Sequence, residues 1–308
     1  MRSKESSLVY NLDERIPNVL FVGSGIDYHD DYNWHKVITA VAENKDNVPK
    51  LQNVDESKNM DFQVPNTILA YSLAPVGDEK RHRAYIKAFD KYRYDENERI
   101  KELLELTFDA ILTTNYTYEF EYAQKSDYIN LKTKERYAHS TEKDGKYLIH
   151  TYNKIDNSIP IWHIHGELRR KSSMIFSHDE YAHLIQSIMN FNTKRGNDYE
   201  KYHDCLRMKS WIDYFLTGNI YFLGYSLDYS EFDIWWLLSR RLRENAEIGN
   251  VYFYDPINKK QNSHYKHEAL KMRGVNVETF GCDVSDDSSM YNEFYSKAIE
   301  DIKAKLDK

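Results

Sequence analysis

Cysteine is scarce in this sequence, because the 308 residues include only Cys205 and Cys282. Two thiols are too few for a disulfide framework, and they are too few for a four-cysteine zinc site. Glycine (11 residues) and proline (6) are also sparse beside 26 tyrosines, a composition typical of an ordered chain. A reducing compartment fits this composition best.

Long apolar runs are missing as well. No run approaches the roughly 20 apolar residues that a membrane helix requires. The polar residues 1–7 lack the apolar centre of a secretion signal. Positive charge is not in excess, since the net charge is −7, so nucleic acid is not indicated as a direct partner. We therefore expect a soluble, cytoplasmic protein that binds neither membrane nor nucleic acid.

Short β-prone runs alternate with helical patterns over much of the chain. In the second half this alternation indicates βαβ units, and hence a largely parallel sheet. The pattern predicts an α/β fold: a Rossmann-like parallel sheet with helices on both faces, a helical insertion and no zinc ribbon. Predicted strands lie at residues 19–22, 108–112, 159–166, 172–177, 219–224, 250–256 and 275–280.

We expect one domain over residues 1–308, because no repeat and no low-complexity linker divides the chain. Two polar, irregular segments interrupt the strand pattern, at about residues 43–95 and 124–158. We interpret them as helical or loop-rich insertions that form a small lid over the candidate site.

The stretch at residues 108–119 is the main candidate for a ligand-binding strand end. An apolar run ends abruptly at Thr113-Thr114-Asn115, and a helical pattern follows. Open α/β sheets bind ligands at such strand ends, and the Asn115 amide can both donate and accept hydrogen bonds. By itself the stretch could equally be an ordinary turn, since Thr and Asn are common in turns.

Four strand ends carry small or polar residues, namely Gly23-Ser24-Gly25, Thr114-Asn115, His165-Gly166 and Gly224-Tyr225-Ser226. A doubly wound sheet brings the carboxyl ends of its strands to one edge, so we expect these four to face one crevice. Glycine turns let main-chain amides approach a pyrophosphate closely. Gly-x-Gly alone is a weak signal, because the third glycine of the dinucleotide fingerprint is missing.

In this order, the sets Gly-Ser-Gly-Ile-Asp (23–27), Thr-Thr-Asn-Tyr-Thr (113–117), His-Ile-His-Gly (163–166) and Gly-Tyr-Ser-Leu (224–227) resemble the NAD-binding core of the sirtuin-like superfamily. Within it, the sets are most similar to bacterial sirtuin-like NAD-consuming proteins of antiphage defence. The Asn-Tyr-Thr variant also resembles the related abortive-infection H family. The resemblance covers residues 19–227.

The resemblance implies a role for each matching residue. Asn115 would lie beside the nicotinamide ribose, and His165 would be the catalytic histidine. NAD would be the substrate, and no metal is expected. The implied binding residues, from the pyrophosphate loop to the adenosine end, are Gly23, Ser24, Gly25, Asp27, Thr114, Gly224, Ser226 and Asp255.

The sequence departs from the family pattern at several positions, and these departures bear on which NAD-dependent reaction the resemblance implies. Thr117 stands where the family carries Asp, and the Gly-Ile-Pro-x-Phe-Arg segment of deacetylating sirtuins is missing after Asp27. The cysteines of the zinc ribbon are missing too. These differences favour simple cleavage of NAD to nicotinamide and ADP-ribose over deacetylation, with NAD depletion serving antiphage defence.

Several alternatives stay open at this point. The chain could be a non-catalytic module that binds NAD or ADP-ribose, or an ADP-ribosyltransferase. A homo-oligomer or a separate defence-system partner could control it. His163 and His165 alternate on one predicted strand and would share a face, but no third metal ligand follows at motif spacing. We interpret His163 as a hydrogen-bonded core histidine.

Overall fold

The computed structural model describes residues 15–27, 34–42, 72–89, 96–124, 152–153, 159–168, 170, 173–198, 211–229, 231–245, 248–257, 263–281 and 287–308. Most of the two predicted insertions and both cysteines lie outside these ranges. The single-domain assignment and the lid therefore stay predictions.

A seven-stranded sheet crosses the centre of the described chain. Its strands are β1 (Asn18–Val22), β2 (Ala110–Thr113), β3 (Tyr152–Asn153), β4 (Ile161–His163), β5 (Asn219–Leu223), β6 (Val251–Ile257) and β7 (Val275–Gly281). The order is β3-β4-β2-β1-β5-β6-β7, and only β3 runs antiparallel to its neighbour. The other six strands are parallel, which confirms the predicted parallel sheet.

The strand order changes direction at β1. The chain builds β2 and β4 outward on one side, then crosses to the other side and builds β5, β6 and β7. In doubly wound sheets the ligand crevice lies outside the carboxyl ends of the strands at this reversal, here between β1 and β5.

Helices cover both faces of the sheet, as predicted. They are α1 (Trp34–Val41), α2 (Asp78–Ala88), α3 (Glu98–Leu104), α4 (Glu119–Gln124), α5 (His178–Asp198), α6 (Trp211–Thr217), α7 (Phe232–Asn245), α8 (His264–Lys271) and α9 (Asp287–Leu306), with a 3-10 turn at Ser24–Asp27.

Alternation along the strands assigns side chains to the two layers. In β1, Leu20 and Val22 pack with α3, α4 and α9. Val19 and Phe21 pack on the opposite face with α5, α6, α7 and α8. These strands are buried on both faces, which explains why they read as continuous apolar runs.

A third apolar cluster joins α1 and α2 to the segments after β2 and β4. Val37 and Val41 of α1 pack with Tyr85 of α2, Tyr116 and Phe176. Helix α2 lies within the first predicted insertion, of which the structure describes residues 72–89.

The strand predicted at residues 172–177 is wrong. Met174, Ile175 and Phe176 are buried, but they form no ladder. Instead, the Ile175 amide donates to the carbonyl of His165, and the Phe176 amide donates to the carboxylate of Glu180. Within the described ranges, no helix has the length and apolarity to cross a membrane.

Candidate functional site

The sheet brings the predicted site segments to one edge. Val22 pairs with both Thr113 and Leu223, and Thr113 pairs with His163. The segments that follow these four paired residues therefore leave neighbouring strands at one level, the carboxyl edge. Six of the ten predicted site residues belong to the 3-10 turn or to loops at this edge on the β1 and β5 side, namely Gly23, Ser24, Gly25, Asp27, Gly224 and Ser226.

The glycine turns after β1 and β5 pack directly against each other. The Gly25 amide donates to the carbonyl of Gly224 at 2.8 Å. A β-carbon on Gly23 would lie 2.7 Å from that same carbonyl oxygen. Gly224 has a φ of +64°, and its β-carbon would lie 2.5 Å from the Ile26 amide. Close packing of the two turns thus requires glycine, and the phosphate role implied by the resemblance stays a prediction.

The remaining residues of these turns are more open. Ser24 and Ser226 are exposed, and the Ser226 carbonyl accepts a hydrogen bond from Lys266. Asp27 ends the 3-10 turn. Leu227 has a positive φ of 48°, a strained conformation for a branched side chain, and such strain concentrates at functional turns.

Asn115 lies two residues beyond β2, with its main chain fixed on both sides. Its amide donates to the Thr113 hydroxyl at 3.0 Å, and its carbonyl accepts from His163 Nδ1 at 2.7 Å. The residue is 8% exposed, and its side-chain amide, whose atoms are not fully enclosed, has no hydrogen-bond partner among the described residues. Thr114 directly precedes it, and the Thr114 amide donates to the Val22 carbonyl. A carboxamide held at this edge can both donate to and accept from a polar ligand.

His163 holds the Asn115 main chain by a hydrogen bond, and a buried ion pair with Glu121 holds His163 itself. Its Nε2 lies 2.7 Å from the Glu121 carboxylate of α4, while Nδ1 bonds the Asn115 carbonyl. Burial lowers the pKa of His163, but the charge and hydrogen bond of Glu121 outweigh burial and raise the pKa to about 9. The imidazole is therefore charged at neutral pH and donates from both nitrogens. The interpretation of His163 as a hydrogen-bonded core histidine is confirmed.

His165 faces the opposite layer, so the prediction that it shares a face with His163 is wrong. Strand β4 ends at His163, and residues 164–165 form a turn that breaks the alternation. His165 Nε2 lies 2.9 Å from Asp233 Oδ2, and Nδ1 lies 3.3 Å from the Tyr181 hydroxyl. Both the histidine and Asp233 are buried.

Asp233, Glu231 and Tyr181 are residues that the sequence did not single out. Asp233 lies in the first turn of α7, and Tyr181 lies in α5. Burial raises the pKa of the Glu231 carboxyl to about 7, against the opposing effects of His165 and Tyr225. Acidic residues near a helix start are common because they interact favourably with the helix dipole. The sequence pattern therefore did not distinguish Asp233 and Glu231 as site residues.

At position 117, where the family pattern has Asp, the structure contains a different acidic contact. Thr117 is buried, and its hydroxyl donates to the Glu119 carboxylate. A carboxylate therefore lies beside Thr117, contributed by the first residue of α4.

Asp255 lies within β6, at the outer side of the edge. Its carboxylate lies 2.7 Å from His267 Nε2 and 3.3 Å from Lys266 Nζ. Lys266 and His267 of α8 thus both contact Asp255, the residue that the resemblance places near the adenosine. A ribose hydroxyl would share the carboxylate with them.

No group of three or more His, Cys, Asp or Glu side chains in the described ranges is arranged to bind a metal ion.

The strand order, the reversal at β1 and the polar groups at the carboxyl edge define a doubly wound α/β protein of the Rossmann-like class. Residues 109–277 match the SIR2-like domain, which is more than half of the chain, and the protein belongs to that family. The match includes Asn115, His165 and Gly224, whereas Gly23 and Asp27 precede it. No curated protein matches the sequence. SIR2-like domains bind NAD, so membership associates the chain with NAD chemistry.

Proposed function

We propose that this protein is an NAD glycohydrolase, which cleaves NAD to nicotinamide and ADP-ribose and depletes NAD in antiphage defence. The observation that carries the proposal is the Asn115 carboxamide, which belongs to a residue fixed through its main chain and has no hydrogen-bond partner among the described residues. Family membership supports NAD as the ligand. The role in defence rests on the sequence resemblance.

The proposed chemistry needs few groups. The bond between ribose C1′ and the nicotinamide nitrogen breaks, and nicotinamide leaves with the bonding electron pair. Positive charge develops on the ribose, and preorganised dipoles such as the Asn115 carboxamide stabilise it and orient water. The water oxygen bonds to C1′, and His165 accepts the proton that the water loses.

The site is also suited to limiting bulk water. The cluster of α1 and α2 packs against Tyr116, the residue that follows Asn115. The Tyr116 hydroxyl donates to the Ile175 carbonyl at 2.5 Å, which ties this loop to the segment that follows His165. Excluding water strengthens each electrostatic contact in the site.

Product analysis of purified protein with NAD tests the proposal. We expect equal amounts of nicotinamide and ADP-ribose, and we expect Asn115→Ala to reduce the rate by about 100-fold or more. Asn250→Ala is the matched control, because this exposed asparagine precedes β6 at the opposite edge. NAD binding without cleavage would instead identify a binding module, and labelled NAD on a protein acceptor would identify an ADP-ribosyltransferase.

Assembly and defence are tested separately. Turnover measured against protein concentration detects control by a homo-oligomer, and added defence-system proteins detect a separate partner. In cells, we expect phage infection to lower NAD with the wild-type chain but not with Asn115→Ala. Unchanged NAD in infected wild-type cells would contradict the proposed role in defence.

A further inference from the structure

Asp233 and His165 form a buried pair that neither the sequence resemblance nor the family match assigns. The two residues lie 68 positions apart, and Nε2 of the histidine is 2.9 Å from Oδ2 of the aspartate. We propose that Asp233 is a positioning residue that fixes His165 in the tautomer protonated at Nε2, an inference that rests on the proposed function. Nδ1 is then the basic nitrogen that accepts a proton during cleavage.

The lengths of the two contacts support this assignment. A hydrogen bond to an ionised carboxylate is stronger than one between neutral groups. The 2.9 Å contact therefore places the proton on Nε2, and the 3.3 Å contact with Tyr181 is the weaker one. Burial raises the pKa of Tyr181 well above its usual value, so its hydroxyl stays protonated and donates to Nδ1. A ligand hydroxyl or water can compete for this weaker contact.

Asp233 has capacity left for the charge that develops on the imidazole. Its side chain is fully buried, and Oδ1 has no hydrogen-bond partner within the described chain. When Nδ1 accepts a proton from water, His165 becomes an imidazolium next to this carboxylate. Asp233 stabilises that charge through its hydrogen bond with Nε2, while the water oxygen bonds to ribose C1′.

Other titratable groups also face this pair, so pH dependence alone cannot report on His165. Glu231 precedes α7 and interacts with both His165 and Asp233. The phenols around the pair come from α5 and from the segments after β2 and β5, and they are Tyr181, Tyr116 and Tyr225. A direct measurement on the imidazole nitrogens is therefore required.

Nitrogen NMR of histidine-labelled intact protein provides that measurement, with His165→Gln identifying the resonances. We expect the Nε2-protonated tautomer in the wild type, and its loss in Asp233→Asn. We also expect Asp233→Asn to lower kcat by about 100-fold, with little change in NAD affinity. Glu244→Gln is the control, since it removes an ion-paired carboxylate from the same helix without contacting His165.

Each outcome decides the proposal. An Nδ1-protonated His165 in the wild type would overturn it independently of the Asp233 variant, even if Asp233→Asn failed to fold. A wild-type tautomer that persists in Asp233→Asn, or a kcat within threefold of wild type, would also overturn it. If wild-type protein cleaves no NAD, the proposed function fails, and the NMR result still tests the positioning role of Asp233.

Discussion

His163 and His165 lie two residues apart at the end of β4, and each contacts a carboxylate, but their surroundings differ. His163 donates to two fixed acceptors at 2.7 Å, the Asn115 carbonyl and Glu121. His165 has one carboxylate at 2.9 Å and one phenol at 3.3 Å. The first imidazole has both nitrogens committed to structure. The second retains a nitrogen whose weaker partner can be displaced, which is the requirement for a proton acceptor.

The largest expected difference between the two histidines is in stability. His163→Ala removes the imidazolium from the buried Glu121 carboxylate, and breaking a buried pair in this way costs about 3–5 kcal/mol. We expect urea unfolding to show that loss for His163→Ala. Adding Glu121→Gln should recover part of it, because the unpaired charge is gone. A loss below about 1 kcal/mol for His163→Ala would contradict the structural role.

The pH dependence of stability should also separate His163 from the rest of the site. Its folded pKa of about 9 exceeds the unfolded value of 6.5, so the folded state binds more protons between these values. The stabilisation is complete below pH 6.5 and is lost as pH rises through 9. The stabilisation is on the order of 3 kcal/mol, since each pKa unit is worth about 1.4 kcal/mol. We expect the free-energy difference between wild type and His163→Gln to shrink over this range, and a constant difference would argue against the raised pKa.

The interlocked glycine turns predict a smaller effect. Gly224→Ala introduces a side chain at a φ of +64°, with its β-carbon 2.5 Å from the Ile26 amide. We expect a loss of about 1–3 kcal/mol in thermal or urea unfolding. Gly281→Ala is the control, because its nearest contact would be at 3.6 Å and its φ is not positive. Equal effects of the two substitutions would contradict the close packing of the turns.

The smallest expected effect concerns the connection between the Asn115 loop and the segment after His165. Tyr116→Phe removes the hydroxyl that donates to the Ile175 carbonyl, so this hydrogen bond is lost. The expected loss of stability is about 1 kcal/mol. Tyr265→Phe, at an exposed tyrosine of α8, should leave the unfolding free energy unchanged. A Tyr116→Phe variant as stable as this control would show that the connection contributes nothing.

The sheet could be predicted from sequence because its determinants are local. Apolar runs such as residues 19–22 end at glycine or polar turns, and their alternation with helical patterns predicts parallel strands. Strand β3 was not predicted, since two residues, Tyr152–Asn153, are too few to give a period. Residues 174–176 resemble a strand in composition, but the Ile175 and Phe176 amides donate to separate acceptors, the His165 carbonyl and the Glu180 carboxylate.

The partners of the two histidines could not be predicted, because they depend on contacts between distant segments. Glu121 lies 42 residues from His163, and Asp233 lies 68 residues from His165. Both acids occupy first turns of helices, where acidic residues are common for local reasons. Strand alternation predicts that the two histidines share one face of the sheet. In the structure β4 ends at His163, and the turn that follows directs His165 to the opposite face.

Nicotinamide release from NAD by intact His165→Gln, compared with wild type at saturating NAD, tests the central claim most directly. We expect steady release by the wild type and a decrease of about 100-fold or more in the variant, which should still unfold cooperatively and bind NAD. Release at the wild-type rate by folded His165→Gln would contradict the assignment of the proton acceptor. An absence of release from the wild type at every protein concentration would contradict NAD cleavage itself.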